Sequence, residues 1–139
     1  MRPSLTHLPL ALTEKRDSNE KVLIIAGGLT VHTFRDFSAF APSTAKPVYH
    51  DWCRAITSAA STADASQRKK DLFNLRLHPG FRLAHPREEH FATIWVAAGA
   101  GDDGNVAASG ERTLSDLYGA QTFAFGVPRD AQDDSFPSV

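Results

Sequence analysis

The sequence has little of several features that would assign it to a specialised class of protein. Its 139 residues contain a single cysteine, Cys53, which can form neither an internal disulfide nor a cysteine-rich zinc site. The formal net charge is -1 and no basic stripe is present, which argues against nucleic acid as a partner. No apolar run reaches membrane-spanning length, and the opening MRPSLTHLPLALTEKR has too short an apolar stretch for a signal peptide. We therefore expect a cytoplasmic protein with no membrane partner.

Motifs of several common active sites are also absent. Gly27 and Gly28 belong to neither G-x-G-x-x-G nor the phosphate loop G-x-x-x-x-G-K-[ST]. The nucleophile elbow G-x-S-x-G does not occur, and the spacing of His85 and His90 is not that of H-E-x-x-H. Phosphate cradles, serine hydrolases of the elbow type and zincin metalloproteases are therefore not indicated.

The pattern of apolar residues predicts an α/β fold with a mixed sheet flanked by helices. Residues 21–28, KVLIIAGG, form a continuous apolar run ending in two glycines, which is typical of a strand buried on both faces. Residues 122–127, TFAFGV, alternate and predict a second strand. Helical spacing or helix-start signals are present over residues 4–16, 46–60, 66–77 and 86–99. The stretch GAGDDGNVAASGER predicts a loop. Because only two strands are predicted, the sheet is thin for a chain of this length.

A histidine follows the first predicted strand. His32 lies past the two glycines in AGGLTVHTF. In open α/β sheets, catalytic groups gather beyond the carboxyl ends of the strands, and a histidine there suits proton transfer near neutral pH. On position alone, a loop histidine bonded to the backbone is an equally good interpretation.

The stretch HPREEH places two histidines and two glutamates before an apolar run. His85 and His90 are five residues apart, which is about 140° around a regular helix, so one helix could not direct both at one metal ion. Pro86 is predicted as the first helical residue, which leaves His85 outside the helix and lets the pair converge from loop and helix. Glu88 and Glu89 fit the positive end of a helix dipole better than they fit a role as partners of a metal or its histidines.

The remaining candidates favour structural roles. His7, His50 and His78 fall on predicted surface or turn positions. Cys53 lies beside Trp52 within a predicted helix and is expected in the core.

The stretches VLIIAGGLTVHTFRDF and HPREEHFATIWVAAGAGDDG occur together in this chain. Together they resemble the class III extradiol ring-cleavage dioxygenases, the LigB-like group, and within it the DOPA-dioxygenase type. That family has a strand, a glycine-rich turn and a histidine, followed later by an HP-x-x-EH helix start. HLPLALTEKR and TFAFG resemble its preceding helix and its closing strand, so the resemblance covers residues 7 to 127.

The resemblance implies an enzyme that opens catechol-type aromatic rings with O₂ and Fe(II), or with Zn(II) in the same site. His32 matches the family's acid–base histidine and His90 its late metal ligand. His85 and Glu89 flank that ligand and would orient it or bind the metal themselves.

The chain departs from the family pattern in several places. The family's other two metal ligands are histidines in an amino-terminal half that has no counterpart here. Thr33 replaces an asparagine, Thr93 a proline and Ala26 a glycine. We therefore expect residues 1–127 to be the carboxyl-terminal portion of a dioxygenase domain and residues 128–139 a polar tail.

Three functional hypotheses remain open at this point. The first is a dioxygenase that is incomplete or inactive as this chain alone and is completed by self-association or by a complementary amino-terminal half. The second is a truncated, non-catalytic remnant with a weak metal site or an interaction role. The third, a small α/β binding module, leaves the two histidine motifs unexplained.

Overall fold

The computed structural model describes residues 24–101 and 109–128. Their elements are the helices α1 (Pro47–Ala60), α2 (Ala65–Asn74), α3 (Phe81–Ala84) and α4 (Ala92–Ala100), the 3-10 turns Phe37–Phe40 and Leu75–Leu77, and the strands β1 (Ser109–Ser115) and β2 (Thr122–Pro128). This combination of helices and a small sheet agrees with the predicted α/β class. The predicted helix over residues 4–16 and the tail beyond residue 128 lie outside the described residues.

Helix α1 provides the centre of the core, as its apolar spacing predicts. Pro47 opens the helix, where its missing N–H leaves no internal hydrogen bond unmade. Trp52 and Ile56 are fully buried one turn apart, and Cys53 is buried beside them. The prediction of a core cysteine is therefore confirmed.

Helix α2 begins at a side-chain cap. The Asp64 carboxylate accepts a hydrogen bond from the backbone N–H of Gln67 at 2.7 Å, which satisfies one of the free donors of the first turn. The single helix predicted over residues 66–77 is divided, since its last turn, Leu75–Leu77, tightens into a 3-10 helix.

The predicted start of the helix at Pro86 is wrong. Residues 86–91 form bends and a turn, and α4 begins only at Ala92. The carbonyl of Glu88 accepts the backbone N–H groups of Phe91 and Ala92 at 2.9 and 2.8 Å. Phe91 is buried against the aromatic core by this turn, so packing of that ring prevails over the local helix-start signal.

The two strands form an antiparallel pair. Thr113 lies opposite Phe123 and Gly110 opposite Val127, with irregular register on either side of Arg112 and Thr113. Strand β2 confirms its prediction, whereas the loop predicted through residue 112 is wrong from Ser109 onward. The register irregularities explain the miss, because they interrupt the period-two pattern by which strands are recognised.

The prediction of a buried strand over residues 21–28 is also wrong for the part that is described. Residues 24–29 have no regular secondary structure and belong to no sheet among the described residues, and Ile25 is 86% exposed. Within the described ranges no strand pairs with this segment, because the sheet there consists of β1 and β2 alone. A strand of continuous apolar residues needs cover on both faces, and the described residues leave Ile25 uncovered.

No helix in residues 24–101 and 109–128 is both long and apolar enough to cross a membrane.

Candidate active site

The structure brings His32 and His90 into face-to-face contact. Their ring centroids lie 3.8 Å apart, with 15° between the ring planes. His32 is half-buried and His90 is exposed, so the stack lies at the protein surface. Phe34 meets the ring of His32 edge-on, at a centroid distance of 5.3 Å. The two histidine-bearing motifs of the sequence thus share one location.

The backbone before and at His32 is fixed by hydrogen bonds to two distant segments. The N–H of His32 donates to the carbonyl of Ala84 at 2.8 Å, and the N–H of Val31 donates to Gly119 at 3.1 Å. Val31 and Thr33 are buried on either side of His32. The histidine ring therefore projects from a well-anchored strand-like segment.

Thr30 makes several of the hydrogen bonds that hold this segment in place. Its carbonyl oxygen accepts hydrogen bonds from Trp52 Nε1 at 2.7 Å and from His85 Nε2 at 2.9 Å. Its hydroxyl donates a hydrogen bond to the side-chain oxygen of Gln121 and accepts one from the backbone N–H of Gln121. Three separate segments of the chain thus fix the residue two positions before His32.

This network was not found from the sequence. Thr30 and Gln121 are 91 positions apart, so no local pattern links them. Trp52 was identified only as part of an apolar helix face. The fold alone shows that these side chains support the histidine loop.

A close backbone approach holds the turn of His90 against the glycines. A Cβ atom on Gly28 would overlap the carbonyl oxygen of His90 and would lie 3.0 Å from Thr93 Oγ1. The absence of a side chain at Gly28 is therefore what lets the two segments meet. At Gly27, by contrast, a Cβ atom would meet open space.

His85 lies beneath the stack and is fully buried. Its ring packs among Trp52, Phe81 and Phe91 at centroid distances of 5.0 to 6.1 Å. The pKa of His85 is lowered to about 4, chiefly by burial. The hydrogen bond to the Thr30 carbonyl raises this pKa, whereas repulsion from His32 and His90 lowers it further. His85 is thus neutral at neutral pH, with its proton on Nε2, where it donates to Thr30.

One atom of this buried ring lacks a partner. His85 Nδ1 is shielded from solvent and makes no hydrogen bond within the described part of the chain. Because Nε2 carries the proton, Nδ1 presents a free lone pair. It is the one polar atom of the three site histidines that is both buried and unsatisfied in the described ranges.

The two glutamates of HPREEH are both exposed and differ in their contacts. Glu88 forms an ion pair with Arg82, whose hydrogen bond lowers the pKa of the Glu88 carboxyl group. Glu89 makes neither an ion pair nor a hydrogen bond with any described side chain. The favoured interpretation of the glutamates as solvated residues agrees with this exposure.

A cavity of about 240 Å³ adjoins the stack. Residues 26–30, the start of α4 and the start of β2 line it, and His90 lies on its wall. Its lining includes the polar residues Thr30, Thr93 and Gln121. Phe91, Phe123 and Phe125 supply aromatic surface, so a flat aromatic molecule would find apolar contact beside an imidazole.

The described residues do not fit a complete metal centre. Imidazole binds a metal through a lone pair in the plane of the ring, so two rings stacked at 15° cannot both point at one ion. Within residues 24–101 and 109–128 no three His, Cys, Asp or Glu side chains are grouped to hold a metal. A protein site for Fe(II) of the facial type takes three ligands. As arranged, the stack offers at most one of them.

Comparison with known proteins decides the family. Residues 5–126 match the family model described as "Catalytic LigB subunit of aromatic ring-opening dioxygenase".

The chain belongs to this LigB family.

The resemblance based on the two histidine motifs is therefore confirmed. The LigB chain is also 44% identical over 108 residues to the "4,5-DOPA dioxygenase extradiol-like protein" of Schizosaccharomyces pombe (strain 972 / ATCC 24843). That match covers 78% of this chain but only 35% of the relative, so the chain spans about a third of the relative's length. No solved structure matches the chain. Dioxygenases of the LigB family generally depend on a non-haem metal.

Proposed function

We propose that this chain is the carboxyl-terminal portion, residues 1–127, of the catalytic domain of an extradiol dioxygenase, with residues 128–139 as a polar tail. The observation that carries the proposal is the contact of His32 with His90 beside a partly aromatic cavity, in a chain of the LigB family. The substrates are a catechol-type aromatic molecule and O₂, and the setting is cytoplasmic.

In this proposal His32 is the group that moves a proton. Its backbone is held by Ala84 and by the Thr30 network, while its ring reaches the surface. An unprotonated ring nitrogen can take the proton of a phenolic hydroxyl and return it later in the reaction. The fixed backbone limits the positions that this nitrogen can take, and positioning of the reacting groups is part of general acid–base catalysis.

His90 is proposed as a metal ligand, for Fe(II) or alternatively Zn(II). Its ring is exposed and no hydrogen bond from another described side chain holds its nitrogen atoms, so rotation away from His32 is open to it. His85 and Glu89 are proposed as supporting groups. Two features support this role: His85 Nδ1 is free, and the Glu89 carboxylate is unpaired, among the residues that the structure describes.

The remaining ligands must come from residues other than the described ones, since these do not fit a complete metal centre. We propose that a complementary amino-terminal half, or a second chain, supplies them. The relative's length supports this, because the match covers only 35% of it.

A ring-opening assay tests the proposal. The chain is supplied with Fe(II), O₂ and a catechol, alone and together with the amino-terminal part of the S. pombe relative, and O₂ uptake is followed with absorbance of the ring-opened product. We expect turnover only in the mixture, and a decrease of about 10² to 10⁴-fold in His32→Ala. His50→Ala, a histidine outside the stack, is the matched control and should retain turnover.

The second candidate function, a non-catalytic remnant with a weak metal site, makes a different prediction. It is favoured by the stacking of His32 and His90, which leaves one ligand at most. Under this hypothesis the mixture shows no turnover although both parts fold and associate.

A further inference from the structure

A second cavity lies on the opposite side of α4 from the start of β2. It has a volume of about 290 Å³ and lies between α2 and α4. Leu72 and Phe73 of α2 and Trp95, Ala98 and Gly99 of α4 line it, together with two lysines. None of these residues belongs to the histidine site. We call it the α2–α4 groove.

The floor of the α2–α4 groove offers no hydrogen bond. The indole Nε1–H of Trp95 already donates to the carbonyl of Leu72 at 2.9 Å. Phe73 is half exposed, and its ring lies 5.9 Å from that of Trp95. The body of any molecule bound there must therefore be apolar, and two aromatic rings favour an aromatic one.

The rim of the groove is positively charged. Lys69 and Lys70 line it from α2, and neither forms an ion pair with a described residue. Arg76 lies over the outer face of Phe73 at 4.2 Å from the ring centroid and adds to the positive potential. The nearest acid along this helix, Asp71, has its oxygens engaged by Thr62 and Gln67.

We propose that the α2–α4 groove binds a small aromatic carboxylate, with its ring against the exposed surface of Phe73 and Trp95 and its carboxylate at Lys69 and Lys70. The volume lies at the lower end of the range for small-molecule sites, about 300 Å³, and is too small for a docked helix. Apolar walls and a cationic rim are complementary to a molecule with an apolar body and one negative end.

The two tryptophans make the test specific. Trp95 lines the groove, whereas Trp52 is fully buried and bonded to Thr30. In a ¹H–¹⁵N spectrum of the full chain each indole N–H gives one signal. Titration with 2-naphthoate should shift the Trp95 signal and leave that of Trp52 in place, and the neutral 2-naphthalenemethanol should bind more weakly.

Two variants identify the groove and its charge. A Cβ atom at Gly99 would meet no other atom within 4 Å, so the side chain of Gly99→Leu starts in open space beside the groove and should abolish the shift, with circular dichroism checking that the variant folds. The double change Lys69→Gln with Lys70→Gln should weaken 2-naphthoate about fivefold and leave the alcohol unchanged. Arg54→Gln, on the exposed face of α1, is the matched control for lost charge and should bind as the unchanged protein does.

Several results would overturn the proposal. These are an unmoved Trp95 signal, equal affinity for the acid and the alcohol, and binding that persists in Gly99→Leu. A Trp95 signal that shifts on dilution alone would show instead that a second copy of the chain covers the groove.

Discussion

At the scale of single residues, the histidine site depends on contacts that span most of the described chain. His32 is anchored through Thr30 to a helix tryptophan, to His85 and to Gln121. The sequence identified the histidines because their side chains are chemically distinctive and lie in short motifs. It could not identify Thr30 or Gln121, because a threonine hydroxyl and a glutamine amide have no distinctive role until the fold brings them together.

Gly28 should tolerate no side chain. A Cβ atom there would overlap the carbonyl oxygen of His90, so Gly28→Ala should lower the free energy of unfolding by about 1–3 kcal/mol through overpacking. Gly27→Ala is the matched control, because its Cβ atom would meet open space. Urea denaturation of both variants measures the difference. Equal stability of the two would show that the turn of His90 does not rest on the glycine backbone.

His85 should make the stability of the fold fall in mild acid. The unfolded chain takes up a proton near the ordinary pKa of 6.5, whereas the buried ring does so near 4. Between these values the unfolded state binds more protons, so stability is fully present above about pH 6.5 and decreases as the pH falls toward about 4. The total loss from this group is about 3 kcal/mol.

Urea denaturation from pH 7 to pH 4 checks this dependence. His85→Gln keeps a hydrogen-bond donor for Thr30 but does not titrate, so its stability should depend less steeply on pH than that of the unchanged protein. Identical slopes would mean that another group causes the acid sensitivity.

At the scale of elements, predictions succeeded where the local pattern and the tertiary contacts agree. Helix α1 has one apolar stripe, and that stripe is buried. Strand β2 alternates and pairs. The predicted helix start at Pro86 was wrong because burial of Phe91 prevails over the signal of a proline at the first helical position. The strand prediction was wrong for residues 24–28 because a strand forms only when it pairs with another strand, and an apolar run does not show which strand that would be.

The cap of α2 provides a test at this scale. Asp64→Ala removes the acceptor for the Gln67 N–H and should cost about 1 kcal/mol of stability, while Asp64→Asn keeps an oxygen there and should cost little. Thermal unfolding followed by circular dichroism compares the two. Equal losses would show that charge at the helix end, and not the capping oxygen, is what matters.

At the scale of the whole molecule, the described surface carries unusual apolar exposure. Ile25, Phe34 and Phe37 are each at least 73% exposed and lie along one stretch of chain. Residues 24–29 have no strand partner in the described sheet. The S. pombe relative is about twice as long and has more chain with which to cover such a stretch, since the match spans only 35% of it.

The isolated chain should therefore self-associate. Exposed apolar side chains favour contact, and a net charge of -1 gives little repulsion to oppose it. Light scattering coupled to size exclusion should show a dimer or a larger species, and Ile25→Lys should shift it toward monomer. A sharp monomer peak with a cooperative thermal transition would mean that the chain closes its own core.

In the proposed function, His90 is one ligand of a metal site that the described residues leave incomplete. An anaerobic calorimetric titration with Fe(II) tests it most directly. The unchanged chain should bind Fe(II) weakly, His90→Ala should lose that binding, and His50→Ala should keep it. Tight stoichiometric binding that survives His90→Ala would contradict both the choice of ligand and the incompleteness of the site.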